Sequence, residues 1–184
     1  MHQISSVLIR TLVEVAQSRG VAPDTLLGQA ASAYLSNPTD RRIPLDEFQA
    51  LLARAAALAG DPALGLHCGL LASEASFGLM APLVSHAPTL RHAVALVVQF
   101  RELISEHVRI ELVERSDTAL LRCVLHAALD RNMVELIVAG FVRMLRAFGC
   151  ADTEIQAVCF EHKRPSHHHA YAAAFAAPRA STNR

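Results

Sequence analysis

From Ile43 to Ala93 the sequence punctuates helices so closely that few arrangements of this part of the chain remain open. Pro44 suits a first helical turn, where its missing N–H would be unpaired in any case, and Asp46 and Glu47 place negative charge at the positive end of the helix dipole. Leu45, Phe48, Leu52 and Ala55, with Leu51 and Leu58 beside them, recur at helical spacing until Gly60, a residue at ease in the left-handed conformation. Asp61-Pro62 then restarts the signal: the aspartate caps a new turn and the proline fixes its first φ, so Ala63 to Leu71 is expected to be a second helix with almost no linker. Thr89 is expected to cap a third, Leu90 to Ile104, with Leu90, Val94, Val97 and Arg101 on one face and Ala93, Phe100 and Ile104 on another.

Upstream, Ser5 or Ser6 caps a helix that turns Leu8, Leu12 and Val15 inward and ends at Gly20. Ala22-Pro23-Asp24 starts a short helix whose Thr25-Leu26-Leu27 packs beneath it, and Tyr34-Leu35 forms a small apolar patch before the loop Ser36 to Asp40. Downstream the period changes to two. Val108, Ile110 and Leu112 alternate with Arg109, Glu111 and Val113, and beyond a turn at Arg115-Ser116-Asp117 a second run puts Ala119, Leu121, Cys123 and Leu125 on one face, which is a hairpin. Met133 to Phe148 returns to helical spacing and stops at Gly149, and Ile155 to His162 reads as a further strand. The expectation is an α+β fold, a mainly helical N-terminal part followed by a small antiparallel-containing sheet with a helix on one face, in one domain over 1–184.

Composition narrows the function. With 17 basic against 17 acidic residues and no basic stripe on any predicted helix, the footprint of a nucleic-acid surface is missing, so this chain by itself is expected to bind DNA poorly. The N-terminal helical pair fits that reading, since its exposed Gln17, Asp24 and Gln29 are not basic. No apolar run is long enough to cross a bilayer and no cleavable leader is visible, which predicts a cytoplasmic protein with no membrane partner. Cys68, Cys123, Cys150 and Cys159 form no CxxC pair and lie in apolar neighbourhoods, as expected of reduced, buried thiols.

Several short motifs occur together in order: Arg42-Ile43-Pro44, Phe48, Gly60-Asp61-Pro62-Ala63-Leu64-Gly65-Leu66, Phe77-Gly78-Leu79-Met80, and Ser85 to Ala93. With His162, Pro165, Tyr171 and Phe175 as a closing segment, this succession resembles the N-terminal, arabinose-binding-like domain of one branch of AraC-type transcription regulators, from about Ser5 to about Asn183. The resemblance implies a domain that binds a small-molecule effector, forms a homodimer, and modulates DNA binding by a pair of helix-turn-helix units. Nothing resembling those units follows Asn183, so the expectation is a regulatory domain separated from its DNA reader. The dimer surface would be the helix Met133 to Phe148 or the hairpin. Two departures stand out: the glycine expected after Phe175 is Ala176, and the apolar strand that normally follows is replaced by Pro178 to Arg184, which predicts a sheet lacking an edge strand.

Catalysis finds little support. There is no GxSxG elbow, HExxH or P-loop, and Ser73 to Ser76 reads as a helix break, so no enzyme is expected. Glu161, His162 and His167-His168-His169 are metal-ligating residue types, but three consecutive histidines cannot all face one ion, and a solvated loop with no metal and no cofactor is the reading adopted. His67 and His126 read as hydrogen-bonded interior or boundary residues. For an effector, the candidates are charges that interrupt apolar faces, Arg101 with Glu102 beside it, Arg122 and Glu135, walled by Phe77, Met80 and Phe100. Each has a plainer alternative, a salt bridge or solvated face for the charges and ordinary core for the rest. Two residues of each charge suit a zwitterion, and 5% aromatic content argues against sugar stacking. Beside the effector-binding reading stand a dimerisation module without a ligand and, less favoured, a metal-dependent enzyme.

Overall fold

The computed structural model describes residues 3–30, 34–35, 42–73, 76, 80–100, 108–125, 129–176 and 179–183, with the side chains of 30, 153 and 179–183 left aside. It opens with β1 (Gln3–Ser5), paired antiparallel with β2 (Arg42–Pro44) so that the buried Ile4 lies opposite the buried Ile43. Sequence alternation cannot reveal strands of three residues, and both went unforeseen. Ser6 holds the N-cap of α1 (Val7–Ser18) without a side-chain cap, while Ser5 Oγ accepts from the Val7 N–H at 3.2 Å. Ile9, Leu12, Val13 and Val15 of α1 are buried, and α2 (Pro23–Leu27) adds Leu26 and Leu27.

Pro44 ends β2 and stands at the N-cap of α3 (Leu45–Ala59), one position earlier than a first-turn proline. The helix closes on Gly60 in the left-handed region, as its sequence demands. Asp61 Oδ1 accepts from the Ala63 N–H at 3.0 Å, and α4 (Leu64–Leu70) follows. Next come α5 (Met80–Ser85) and α6 (Leu90–Gln99), where Thr89 Oγ1 caps the His92 N–H at 3.2 Å. The expected continuation to Ile104 lies outside the described residues.

The hairpin forms as read: β3 (Val108–Glu114) pairs antiparallel with β4 (Ala119–Leu125), Ile110 opposite Cys123 and Val113 opposite Leu120. Asp130 caps α7 (Arg131–Ala147) by accepting from the Met133 N–H at 2.8 Å. The chain closes with β5 (Ala157–Lys163), α8 (His169–Phe175) and β6 (Arg179–Asn183).

The class is α+β with helices predominating, as the sequence predicts, but its strands sit in three two-stranded sheets among the described residues. The hairpin pairs with itself, and β5 pairs with β6 in parallel. The expected loss of an edge strand is therefore overturned. Arg179–Asn183 has no apolar pattern, yet a ladder is made by backbone N–H and C=O groups, which a polar segment supplies as well as an apolar one.

α7 lies at the centre of the core and is buried on three sides. Met133 and Leu136 join the cluster of α1 and α3, Ala139 and Val142 join that of β5 and α8, and Phe141 and Met144 join that of α5, α6 and the hairpin. α4 runs against α7 with two glycines one turn apart, Gly65 and Gly69. A β-carbon on Gly69 would lie 2.6 Å from Ala139 Cβ, so the two helices meet backbone to backbone. No helix among the described residues is long and apolar enough to cross a membrane.

Candidate functional site

Glu135 sits on α7 one turn after Arg131, with Val134 and Leu136 beside it and Val138 and Ala139 one turn on, and none of it is exposed. A buried carboxylate is costly unless donors converge on it. They converge on one oxygen only. The Tyr171 hydroxyl donates to Glu135 Oε1 at 2.6 Å, His167 Nε2 lies 2.9 Å from the same atom, and Arg131 Nε approaches to 3.6 Å, an ion pair longer than a hydrogen bond. Glu135 Oε2 and His167 Nδ1 are both buried and, among the described residues, have no hydrogen-bond partner.

The local sequence builds this knot. His168 N–H donates to Pro165 O at 3.2 Å, closing a turn that leads into α8 and directs His167 and Tyr171, one helical turn apart, at the same face of α7. Behind them lie the rings of Phe160, His162 and Phe175, with Phe160 centred 4.9 Å from both His162 and Tyr171. Burial, then the hydrogen bond to Glu135 and its negative charge, push the Tyr171 hydroxyl well above its ordinary value of 10.0, so it stays protonated.

The histidine triplet therefore departs from a solvated loop. His167 is 4% exposed while His168 is half-buried and His169 exposed, because consecutive residues entering a helix point about 100° apart. Among the described residues no group of three His, Cys, Asp or Glu side chains is placed to hold a metal ion.

The other candidates lie elsewhere. Met80 is buried and Phe100 partly buried in the cluster of α5, α6 and the hairpin, away from the cluster around Tyr171. Arg122 is exposed on the outer face of the hairpin, 3.7 Å from Glu111 Oε2, and Glu111 also pairs with Arg109, which makes it one member of a surface ion-pair row. Phe77, Arg101, Glu102 and His126 fall outside the described residues. The described candidates thus occupy three places. Only Glu135 stands in a buried polar setting, and its partners His167 and Tyr171 went unassigned; an i, i+4 pair of polar rings on one helical face was the available signal.

A second polar group ties α1 to the start of α4. Asp61 Oδ2 lies 2.7 Å from His67 Nδ1 and 3.3 Å from Arg19 Nε, which makes His67 the boundary residue expected. Burial pushes the Asp61 carboxyl up, but the bond to His67, its charge, the Ala63 N–H and Arg19 outweigh it, and the net direction is below the usual carboxylate value. All four cysteines stand free, Cys68 buried, Cys123 and Cys150 half-buried and Cys159 exposed. Burial pushes Cys68 up to about 12 and Cys123 up to about 11. Cys159 corrects the expectation of burial: it alternates outward on β5 between the buried Val158 and Phe160.

Residues 20–181 match the family described as the arabinose-binding domain of AraC transcription regulators, N-terminal. The chain is 33% identical over 134 residues, 72% of its own length, to an uncharacterized HTH-type transcriptional regulator of Mycobacterium bovis. It is equally similar, over the same share, to one of Mycobacterium tuberculosis. It spans 37% of the length of those relatives. The motifs that punctuate the helices and the match over 20–181 agree: the chain belongs to the family of N-terminal arabinose-binding domains of AraC transcription regulators.

Proposed function

We propose that this chain is the effector-sensing and dimerisation part of an AraC-type regulator of the cytoplasm. A small metabolite binds inside it, changes its conformational or dimer equilibrium, and so alters how a DNA-binding domain outside this sequence engages its sites. Such a shift requires different affinity for the two states. Balanced charge supports a division of labour in which DNA is contacted by another domain. Of the geometry, one observation carries the reading: a buried carboxylate and a buried imidazole, side by side in an apolar interior, each keep a hydrogen-bonding atom that no group among the described residues fills. Buried polar groups are ordinarily satisfied, and ligand sites are where a few such groups converge.

For the dimer, α7 is enclosed by the three core clusters, which leaves the hairpin as the surface this reading favours. Val113 and Leu120, opposite each other in register, are 40% and 45% exposed.

The test is thermal denaturation of the purified chain against amino acids, polyamines, sugars and fatty acids. A ligand that binds only the native state at a hundred times its Kd adds about 2.7 kcal/mol, and the compound should be recovered unchanged. Stabilisation by no member of the panel would favour a dimerisation module without a ligand, and turnover of a compound would favour an enzyme.

A further inference from the structure

The geometry points to Glu135 and His167 as the anchor for a cationic, multi-donor head group, an ammonium or guanidinium, on the effector. This rests on the reading of the domain as a sensor and names the chemistry the sensor takes.

The argument follows the protons. Tyr171, held protonated, has one O–H to give, and it goes to Glu135 Oε1 at 2.6 Å. His167 Nε2 lies 2.9 Å from that same oxygen, and only an N–H can bond to a carboxylate, so Nε2 carries a hydrogen. A carboxylate oxygen such as Glu135 Oε2 takes donors only, and His167 Nδ1 does so in the neutral ring; both atoms are buried and unfilled among the described residues.

Charge points the same way. Among the described residues the one permanent cation paired with Glu135 is Arg131, 3.6 Å away and 42% exposed, so much of its field is spent in water. A ligand ammonium or guanidinium brings two or more N–H donors and the positive charge together. The rings of Phe160, Tyr171 and Phe175 pack beside this group as tilted pairs, with centroids 4.9 to 6.1 Å apart. A carboxylate or phosphate would bring acceptors to acceptors, and a hydroxyl would leave the charge unmatched. Arg131, on the first turn of α7, is the member of the group that reaches the surface, and a head group entering there would take over its weak pairing.

The experiment uses n-butylammonium and butylguanidinium as probes, with 1-butanol and butyrate as neutral and anionic counterparts at matched ionic strength. The two cations are expected to raise the melting temperature of the wild-type chain with saturation, and the alcohol and the acid are not. Glu135→Gln, which keeps the shape and an acceptor for Tyr171, should weaken the cations at least tenfold, whereas Leu96→Met in the other cluster should leave them unchanged. Should Glu135→Gln fail to fold, ring ¹⁵N spectra of the wild-type chain decide the matter. His167 Nδ1 should show the signature of a bare nitrogen without probe and of a hydrogen-bonded one with it. Equal stabilisation by butanol, an undiminished effect in Glu135→Gln, or a protonated Nδ1 at pH 7 would overturn the proposal, as would no response to either cation, which would leave ordered water as the occupant. If a neutral or anionic metabolite from the wider panel stabilises the chain, the sensor reading survives and only this inference falls.

Discussion

Gly65 stands so close to Asn132 that a β-carbon on the glycine would lie 2.7 Å from the Asn132 carbonyl carbon, and the Gly65 N–H meets Asn132 Oδ1 at 3.4 Å. What it would strike is backbone at the start of α7, which cannot rotate away. Gly65→Ala is expected to cost about 3 kcal/mol or more, since α4 and α7 must part along the axis of the core. Gly60→Ala is the control. It has open space and a φ of +61°, so it should cost only about 1 kcal/mol. Urea denaturation of both variants decides; a Gly65→Ala loss no larger than that of Gly60→Ala would mean the helices are not in close contact.

Asp61 carries both a cap and an ion pair. Its carboxyl lies below the usual range in the fold, so its contribution is present above the unfolded value near 3.8 and is lost as pH falls through the lower folded value. Asp61→Asn keeps an acceptor for the Ala63 N–H but loses the charge that faces Arg19, itself 40% exposed, so a cost of about 1 kcal/mol at pH 7 is expected. The variant should also lose less stability than the wild type between pH 5 and pH 3. Parallel acid limbs in the two proteins would remove the carboxylate from the account.

At the alkaline end the sign reverses. Cys68 is pushed up to about 12, Cys123 to about 11, and Tyr171 higher still, from ordinary values of 9.0 for the thiols and 10.0 for the phenol. The unfolded chain therefore releases these protons first, and stability falls as pH rises from about 9. Each such group steepens the fall by about 1.4 kcal/mol per pH unit while it is ionised only in the unfolded state. Cys123→Ala should flatten the limb between pH 9 and pH 11. Urea midpoints across that range measure it, and a limb unchanged by the substitution would contradict the burial of this thiol.

The contrast between what could and could not be read from the sequence is physical. Gly60, Asp61 and Thr89 act through their own backbone or the next three residues, so their roles were written locally. The hairpin was legible because its alternation is also local. Glu135 drew notice as a charge in an apolar helix, but its partners His167 and Tyr171 are 32 and 36 residues away, and no spacing rule connects them. β6 was missed for a related reason. Its pairing with β5 rests on backbone groups that every residue carries, so the polar side chains of Arg179 to Asn183 gave no sign of it. Close packing at Gly65 was likewise invisible until α7 could be placed beside it.

The hairpin end offers a separate expectation. Val113 and Leu120 form an exposed apolar cross-strand pair, flanked by the row of Arg109, Glu111 and Arg122. If copies of the chain associate there, Val113→Asp with Leu120→Lys should shift the mass by light scattering from dimer to monomer without lowering stability by more than about 0.5 kcal/mol, since surface changes away from the core cost little. A dimer that persists in the double variant would place the interface elsewhere.

Ala176 is the residue where this chain departs from the glycine that its family resemblance implies, and the fold still asks for one. Ala176 ends α8 with φ at 50°, the only non-glycine in the left-handed region among the described residues, and its N–H donates to Ala172 O at 3.1 Å. The methyl group there costs about 1–2 kcal/mol by crowding the following carbonyl oxygen, while glycine would lose about 0.4–1 kcal/mol to the greater freedom of the unfolded chain. The difference favours glycine. Ala176→Gly is expected to stabilise the protein by about 0.5–1 kcal/mol, one of the few places where adding a glycine should help. Because Ala176 lies three positions before the start of β6, the same substitution is expected to slow amide exchange along Arg179 to Asn183 and reduce proteolysis there. A fall in melting temperature for Ala176→Gly would show that the α8 terminus does not hold the left-handed turn in solution, and with it the parallel pairing of β5 and β6 would lose its anchor.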